Sequence, residues 1–398
     1  MSTYRRRFEG VTGGYLRPEH VAIFLAAVLA RGLWWLQVGT IFGGDAPRYI
    51  NWCTEFSLGT LFGTRAIVYS GYWLPYCGWL NLSGGWIDGW IGVQLLLSAL
   101  TCVVVYETGR YLLGNTAGLV AGGLFVVQWQ VFRWFVRPQS EFMMAFVFAV
   151  AMWRLVHYHT TPTTRNRLLA LASLGLVAIV RPNGLPIVFG YLVWDFFPED
   201  SARRLGLFFS SKVNLAIAGV IVSGIAYRLY FGWSRGSGSI LVHWRDGIIV
   251  TPERVVYEYT PAAADSILEF FVVNLPHVLV IVFLRAVWFF SPVFPTWSTG
   301  HMIQTGLTLT PLLIGAALGI YTAARHDRDL LILWGTPLVM MVVTAMGTWV
   351  AGWRNFLGPA AVVYALFTGY YVARLDPLPL GNPLDRFRSD PVSDDSQA

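Results

Sequence analysis

The sequence predicts an all-α polytopic membrane protein of about ten transmembrane helices, within a range of about nine to twelve, with two long non-cytoplasmic loops carrying interfacial helices. Three observations lead there. Hydrophobic residues fill 55% of the 398 positions and charged residues only 13%, giving a mean hydropathy of +0.54; soluble domains do not carry that balance. The apolar residues gather into runs close to the roughly 20 residues a helix needs to cross a bilayer. Arginines fall between these runs as expected for short cytoplasmic loops.

The first run, 19–38, follows Arg5 to Arg7 and has no small-residue cleavage site, so it reads as a span and not as a signal peptide. Runs at 89–106, 117–132 and 141–157 come next. Two short runs, 168–180 and 184–197, flank the breaker cluster Arg181-Pro182-Asn183-Gly184, which makes them either two tilted spans or one hairpin dipping into the membrane. Runs at 213–231, 304–323, 329–349 and 356–373 complete the set. With the N-terminus inside, the cytoplasmic segments collect Arg5 to Arg7, Arg110, Arg165, Arg167, Arg203, Arg204, Lys212, Arg325, Arg328, Arg374, Arg386 and Arg388, and both termini are expected in the cytoplasm. Phe270 to Phe290 is also apolar enough to cross, but counting it would put Arg325 and Arg328 outside. It is therefore read as a helix lying in, or dipping from, the outer interface. The chain divides into a single transmembrane domain, 1–375, and a disordered cytoplasmic tail, 376–398, marked by Pro377, Pro379 and Pro383. The outer loops are 38–88 and 232–303, long enough to be where function sits.

Composition also excludes several functions. Of the 28 basic residues only Lys212 is a lysine, and the arginines are scattered over loops with no basic stripe, so nucleic acid is not an expected partner. The 3 cysteines are too few for a disulfide framework or a zinc site, although Cys53 and Cys77 share the first outer loop and can pair. His243, His277 and His301 lack metal-ligand spacing and read as ordinary polar residues. The sequon Asn81-Leu82-Ser83 is no more than chance supplies.

Ionisable residues at the outer ends of spans are more informative, because placing them near hydrocarbon is costly. Asp45, in Gly43-Gly44-Asp45-Ala46-Pro47-Arg48-Tyr49, follows the first span. It either caps a short helix opened by Pro47, or serves as a carboxylate that accepts a proton from a hydroxyl or helps hold a divalent cation. Glu141, in Arg137-Pro138-Gln139-Ser140-Glu141, opens the fourth span. Its bland reading is a capped helix start, with Ser140 before the apolar run and acid in the first turn. Asp45 and Glu141 share one membrane face, as a metal site or an acid–base pair requires. Arg137, Arg181 and Arg354, each at a span terminus, suit a lipid-borne phosphate, against the alternative of snorkelling to headgroups. Arg31 lies inside the first span and must pair, snorkel or face a cavity.

The order of these motifs resembles the GT-C membrane glycosyltransferases, in particular the branch containing the protein O-mannosyltransferases and the bacterial lipid A aminoarabinose transferases. The resemblance rests on Asp45 with Tyr49 after the first span, the aromatic stretch Tyr69 to Tyr76 around Tyr72, Ser140-Glu141, Arg181-Pro182-x-Gly184-Leu185, and Trp353-Arg354-Asn355-Phe356-Leu357-Gly358-Pro359. It covers residues 19–197 well and the rest loosely. It implies a polyprenyl or dolichyl phosphate sugar donor and an acceptor glycan, lipid or protein on the non-cytoplasmic side, with transfer by inversion. Carried over, Asp45 is the catalytic carboxylate and Glu141 the second acid, near the donor phosphate or a metal. Arg48, Tyr49, Tyr72, Arg137, Arg181 and Arg354 are substrate contacts. Many eukaryotic members carry a second acid directly after the first aspartate; here Ala46 follows Asp45. The leaving phosphate is stabilised by arginine alone or by Mg²⁺ or Mn²⁺ on Asp45 and Glu141, and both remain open. A transporter or lipid-linked sugar flippase is the competing reading. It would carry midplane ionisable groups and paired broken helices, whereas only Arg31 is deep and the Arg181-Pro182 break has no counterpart in the second half.

Overall fold

The computed structural model describes residues 17–63, 65–194, 248–251, 254–258, 261–292, 298–347 and 351–375, with isolated positions at 216 and 219. The expected span 213–231, the tail 376–398 and the basic start Arg5 to Arg7 lie outside the described residues, apart from those two isolated positions.

The described chain is helical with one addition to the expected all-α class. It begins with α1 (Pro18–Val38), α2 (Ala46–Thr54), α3 (Leu58–Gly63), a 3₁₀ turn over Arg65–Tyr69, and α4 (Ser70–Leu82). It continues through α5 (Ile87–Leu113), α6 (Asn115–Val126), α7 (Trp129–Phe132), α8 (Ser140–Thr160), α9 (Thr164–Val180) and α10 (Gly184–Trp194). After an antiparallel hairpin of β1 (Ile248–Thr251) and β2 (Arg254–Glu258), which falls in the second long loop, come α11 (Ile267–Val273) and α12 (Leu275–Phe289). Last are α13 (Thr299–His326), α14 (Arg328–Leu330), a π-helical turn over Leu331–Gly335, α15 (Thr336–Gly347) and α16 (Ala351–Leu375).

Five helical stretches among the described residues, 18–38, 87–113, 140–160, 299–326 and 328–347, are long and apolar enough to cross a membrane. α6, α12 and residues 184–193 are apolar but shorter. The last helix, α16, is the axis of the bundle. Residues 357–370 are all buried, and α6, α8 and α13 pack around it. The segment 270–290 is two helices broken at Asn274, whose side-chain amide donates back to the carbonyls of Phe270 (3.0 Å) and Ala262 (3.2 Å).

The third run ends early, at Val126 and not at residue 132, and Arg31 reaches a carbonyl freed there. It is fully buried and donates from Nε to Ser98 Oγ (2.7 Å) and from Nη1 to the Val126 carbonyl (3.4 Å), with Phe132 beneath its guanidinium at 5.0 Å. A helix ending inside the membrane leaves carbonyls without partners, and a buried cation meets that need. Arg31 therefore pairs with backbone and hydroxyl groups of the bundle.

Contacts fix which helix ends share a face. At one end, His20 of α1 meets Glu107 of α5 at 2.9 Å, Arg110 also pairs with Glu107, Tyr111 accepts from Thr160 at 3.4 Å, and Arg374 of α16 pairs with Asp327 after α13. At the other end, Thr40 donates to Asp88 (2.5 Å), Ile41 N donates to the Val136 carbonyl (2.9 Å), and Gln139 donates to the Gly43 carbonyl. Gly44, with φ +61°, makes the turn there that lets α2 fold back over the start of α8.

Candidate active site

The second end of the bundle is where the sequence motifs meet. α2 begins at Ala46 with Asp45 in the N-cap position, yet the Asp45 carboxylate makes no capping hydrogen bond. It turns instead to Arg48 Nη2, 2.8 Å away, both side chains being about one third exposed. The Arg48 guanidinium lies over three rings, Tyr69 at 4.9 Å, Trp52 at 5.2 Å and Tyr49 at 5.4 Å. A cation held against aromatic faces beside a carboxylate is fixed in direction as well as charge. Burial disfavours that charge, but Asp45, Tyr49 and Tyr69 together outweigh it, and the Arg48 pKa is raised.

Ser140 does not cap α8 either: it is the first helical residue, after an N-cap Gln139. Its hydroxyl shares a 2.8 Å hydrogen bond with the phenol of the fully buried Tyr49. One residue on, Glu141 Oε1 lies 2.9 Å from Arg181 Nη1, a pair almost sealed from solvent, with Arg181 only 4% exposed. Arg181 is delivered by the end of α9, where the chain breaks before Pro182; the residue just before it, Val180, packs against Gly71 of α4. Burial opposes the Arg181 charge while Glu141, Tyr49 and Tyr69 favour it, and the balance raises its pKa.

Tyr49 is the hub. Burial pushes its phenol well above the ordinary range, with Arg181 pulling the other way and Glu141 and Asp45 adding to the rise, so it stays protonated as a donor. Its ring meets Tyr72 at 4.9 Å and Trp52 at 5.5 Å. Tyr72 is sealed too: it accepts from Trp90 Nε1 at 3.2 Å and donates to Gln94 Oε1 at 2.9 Å. A disulfide between Cys53 and Cys77, with Cα atoms 5.1 Å apart, ties α2 to α4 and so fixes this aromatic wall.

Asp45, Arg48, Tyr49, Tyr72, Glu141 and Arg181 thus converge. Arg137 is nearby but turned, its guanidinium 5.1 Å from the Trp134 ring. Arg354 lies one turn before Gly358 on α16, and a Cβ at Gly358 would sit 2.8 Å from Ala145 Cβ and 3.7 Å from the Glu141 carbonyl. The Arg354 backbone is therefore near the Glu141 turn, while its side chain lies outside the described residues. The paired acids are not bridged to one another: each has its own arginine. Among the described residues no group of three or more His, Cys, Asp and Glu is placed to hold a metal ion. Sequence reasoning passed over Ser140 as a hydroxyl partner, Trp52, Gln94 and Gln139. Gln94 carried a signal, being a polar residue inside the apolar run 89–106.

Fold and site together define a polytopic membrane protein with a polar, arginine-rich centre at one end of its helices. Residues 71–227 match the family model described as dolichyl-phosphate-mannose-protein mannosyltransferase. That match supports a GT-C superfamily membrane glycosyltransferase of the mannosyltransferase type. It spans Tyr72, Ser140-Glu141 and Arg181, and leaves Asp45, Arg48 and Tyr49 to the geometry. No curated protein matches the chain.

Proposed function

We propose that the protein transfers a sugar from a polyprenyl or dolichyl phosphate carrier to an acceptor hydroxyl or amine on the non-cytoplasmic face, with inversion at the anomeric carbon. The observation that carries this reading is the convergence on Tyr49 of two acid–arginine pairs from separate segments, Asp45 with Arg48 and Glu141 with Arg181, at one end of a membrane bundle. In the reaction the acceptor atom bonds to the anomeric carbon as the bond from that carbon to the phosphate oxygen breaks. The leaving lipid phosphate keeps the electron pair, and the acceptor's proton passes to Asp45. Asp45 suits this role because it is partly exposed and held in place by Arg48. Arg48 and Arg181 supply the positive charge that the departing phosphate needs, with Arg137 and Arg354 as outer contacts. Glu141 orients Arg181 from behind. Two carboxylates each engaged by a guanidinium are a poor donor set for Mg²⁺ or Mn²⁺, so no step is assigned to a cation. The flippase reading is weakened by Arg31, whose bonds to Ser98 and the Val126 carbonyl make it part of the scaffold.

The test is to incubate the purified chain with lipid phosphate sugars and candidate acceptors, and to delete the gene and ask which surface glycan, lipid or protein loses a sugar. Sugar transfer that disappears in the deletion supports the reading; lipid-linked sugar that crosses the bilayer without transfer would favour the flippase.

A further inference from the structure

Gln94 is fully buried about two turns into α5 from its site end, in a helix long and apolar enough to span the membrane. An uncharged amide there is costly unless every polar atom is used, and a leucine would serve the span better. Its atoms are used across three elements. The carboxamide oxygen accepts from the Tyr72 hydroxyl of α4, 2.9 Å away. The nitrogen donates to the Phe135 carbonyl and, at 2.8 Å, to the Arg137 carbonyl. Those carbonyls belong to the irregular backbone between α7 and α8, outside any helical ladder; the Arg137 carbonyl also accepts from Gln139 N at 2.7 Å, so Phe135 relies most on the amide. The orientation of the amide follows from its neighbours. Tyr72 accepts from Trp90, leaving its single proton for Gln94, so the amide oxygen must face Tyr72 and the nitrogen must face the two carbonyls.

We propose that Gln94 is a positioning residue of the transfer site. It sets the spacing between the Tyr72 wall, which packs on Tyr49, and the segment that presents Ser140 and Glu141. Its kinetic consequence rests on the transferase reading; its effect on local structure does not.

The test uses the full-length purified chain. Gln94→Met keeps length and apolarity but removes all three hydrogen bonds, and Gln94→Glu keeps the acceptor while losing the donors unless protonated. Hydrogen exchange of backbone amides should quicken over residues 135–142 in Gln94→Met and stay unchanged at the far end, around 155–170. In the transfer assay its kcat should fall roughly 100-fold, the loss expected when reacting groups shift by about an ångström, while the KM for the lipid phosphate sugar changes less than about threefold. Gln94→Glu should lose kcat progressively as pH rises, because a carboxylate facing two carbonyl oxygens must hold a proton to stay bonded; the wild type should lack that limb. Exchange over 135–142 that matches wild type, or wild-type kcat in Gln94→Met, overturns the proposal. If Gln94→Met does not fold, the pH limb of Gln94→Glu decides, and its absence overturns the proposal. If the wild-type chain transfers no sugar, that failure falls on the transferase reading, and hydrogen exchange alone decides the role of Gln94.

Discussion

Asp45 stands where a capping residue belongs and caps nothing; its carboxylate is spent on Arg48 instead. Asp45→Asn removes the proton acceptor but leaves a partly exposed surface contact, whose loss costs little stability. Transfer from a lipid phosphate sugar should fall at least roughly 100-fold, while the thermal unfolding midpoint in detergent stays near wild type. Full activity in the asparagine variant would remove Asp45 from the mechanism. The Glu141–Arg181 pair behaves differently because it is sealed from solvent. Arg181→Met leaves a buried carboxylate without this cation and should destabilise the chain by about 3 to 5 kcal/mol in denaturant titrations. Adding Glu141→Gln to Arg181→Met should restore much of that stability and none of the transfer; a double variant as unstable as the single would show that the pair's charge is not the issue. Because each acid already has a guanidinium, chelation with EDTA is expected to leave the transfer rate of the purified chain unchanged. A loss of activity restored by Mg²⁺ or Mn²⁺ would return Asp45 and Glu141 to the role of metal ligands.

Those side chains are placed by short, irregular elements, and here the sequence was only partly legible. Asp45, Glu141 and Arg181 stood out because charged groups at span ends have few reasons to be there. Ser140 did not: its position before an apolar run fits a helix cap as well as a bond to a phenol ninety-one residues away in sequence. The early end of α6 left only a faint trace in the sequence, Gln128 and Gln130 interrupting the 117–132 run, and the bond from Arg31 to the Val126 carbonyl marks the place where the helix stops. The Cys53–Cys77 pairing was one option among others until α2 and α4 were seen side by side. That disulfide closes a loop of 24 residues and, on chain-entropy grounds, contributes roughly 3 kcal/mol. Since α2 carries Asp45, Arg48 and Tyr49, replacing both cysteines by serine should lower transfer and speed proteolysis within 39–86, while α8 and α16 remain protected. A double-serine variant with wild-type proteolysis and activity would show that the aromatic contacts alone hold α2 in place.

The bundle as a whole turns the local geometry into a statement about sidedness. The end of α1, the starts of α5 and α8 and the end of α9 lie toward the Tyr49 end, whereas Pro18, Leu113, Thr160 and Leu375 lie toward the Glu107 and Asp327 pairs. α10 begins beside Arg181 at the first end, and α13 begins near the same end, where His301 approaches Arg133 at 2.9 Å. Arg110, Arg165, Arg167, Arg325 and Arg374 lie with the far end, while Arg48, Arg133, Arg137 and Arg181 of the Asp45 end are engaged by acids, rings or His301; the positive-inside rule then predicts that the Asp45 end faces outside. In a chain with Cys53, Cys77 and Cys102 replaced by serine, single cysteines at 45 and 110 report this directly. A membrane-impermeant maleimide added to sealed cells should label position 45 at once and position 110 only after the membrane is opened. Labelling of both positions from one side would break the helix-end assignment itself. Labelling of 110 from outside and 45 from inside would keep the bundle but invert it, and the lipid-borne sugar would then have to arrive from the cytoplasmic leaflet.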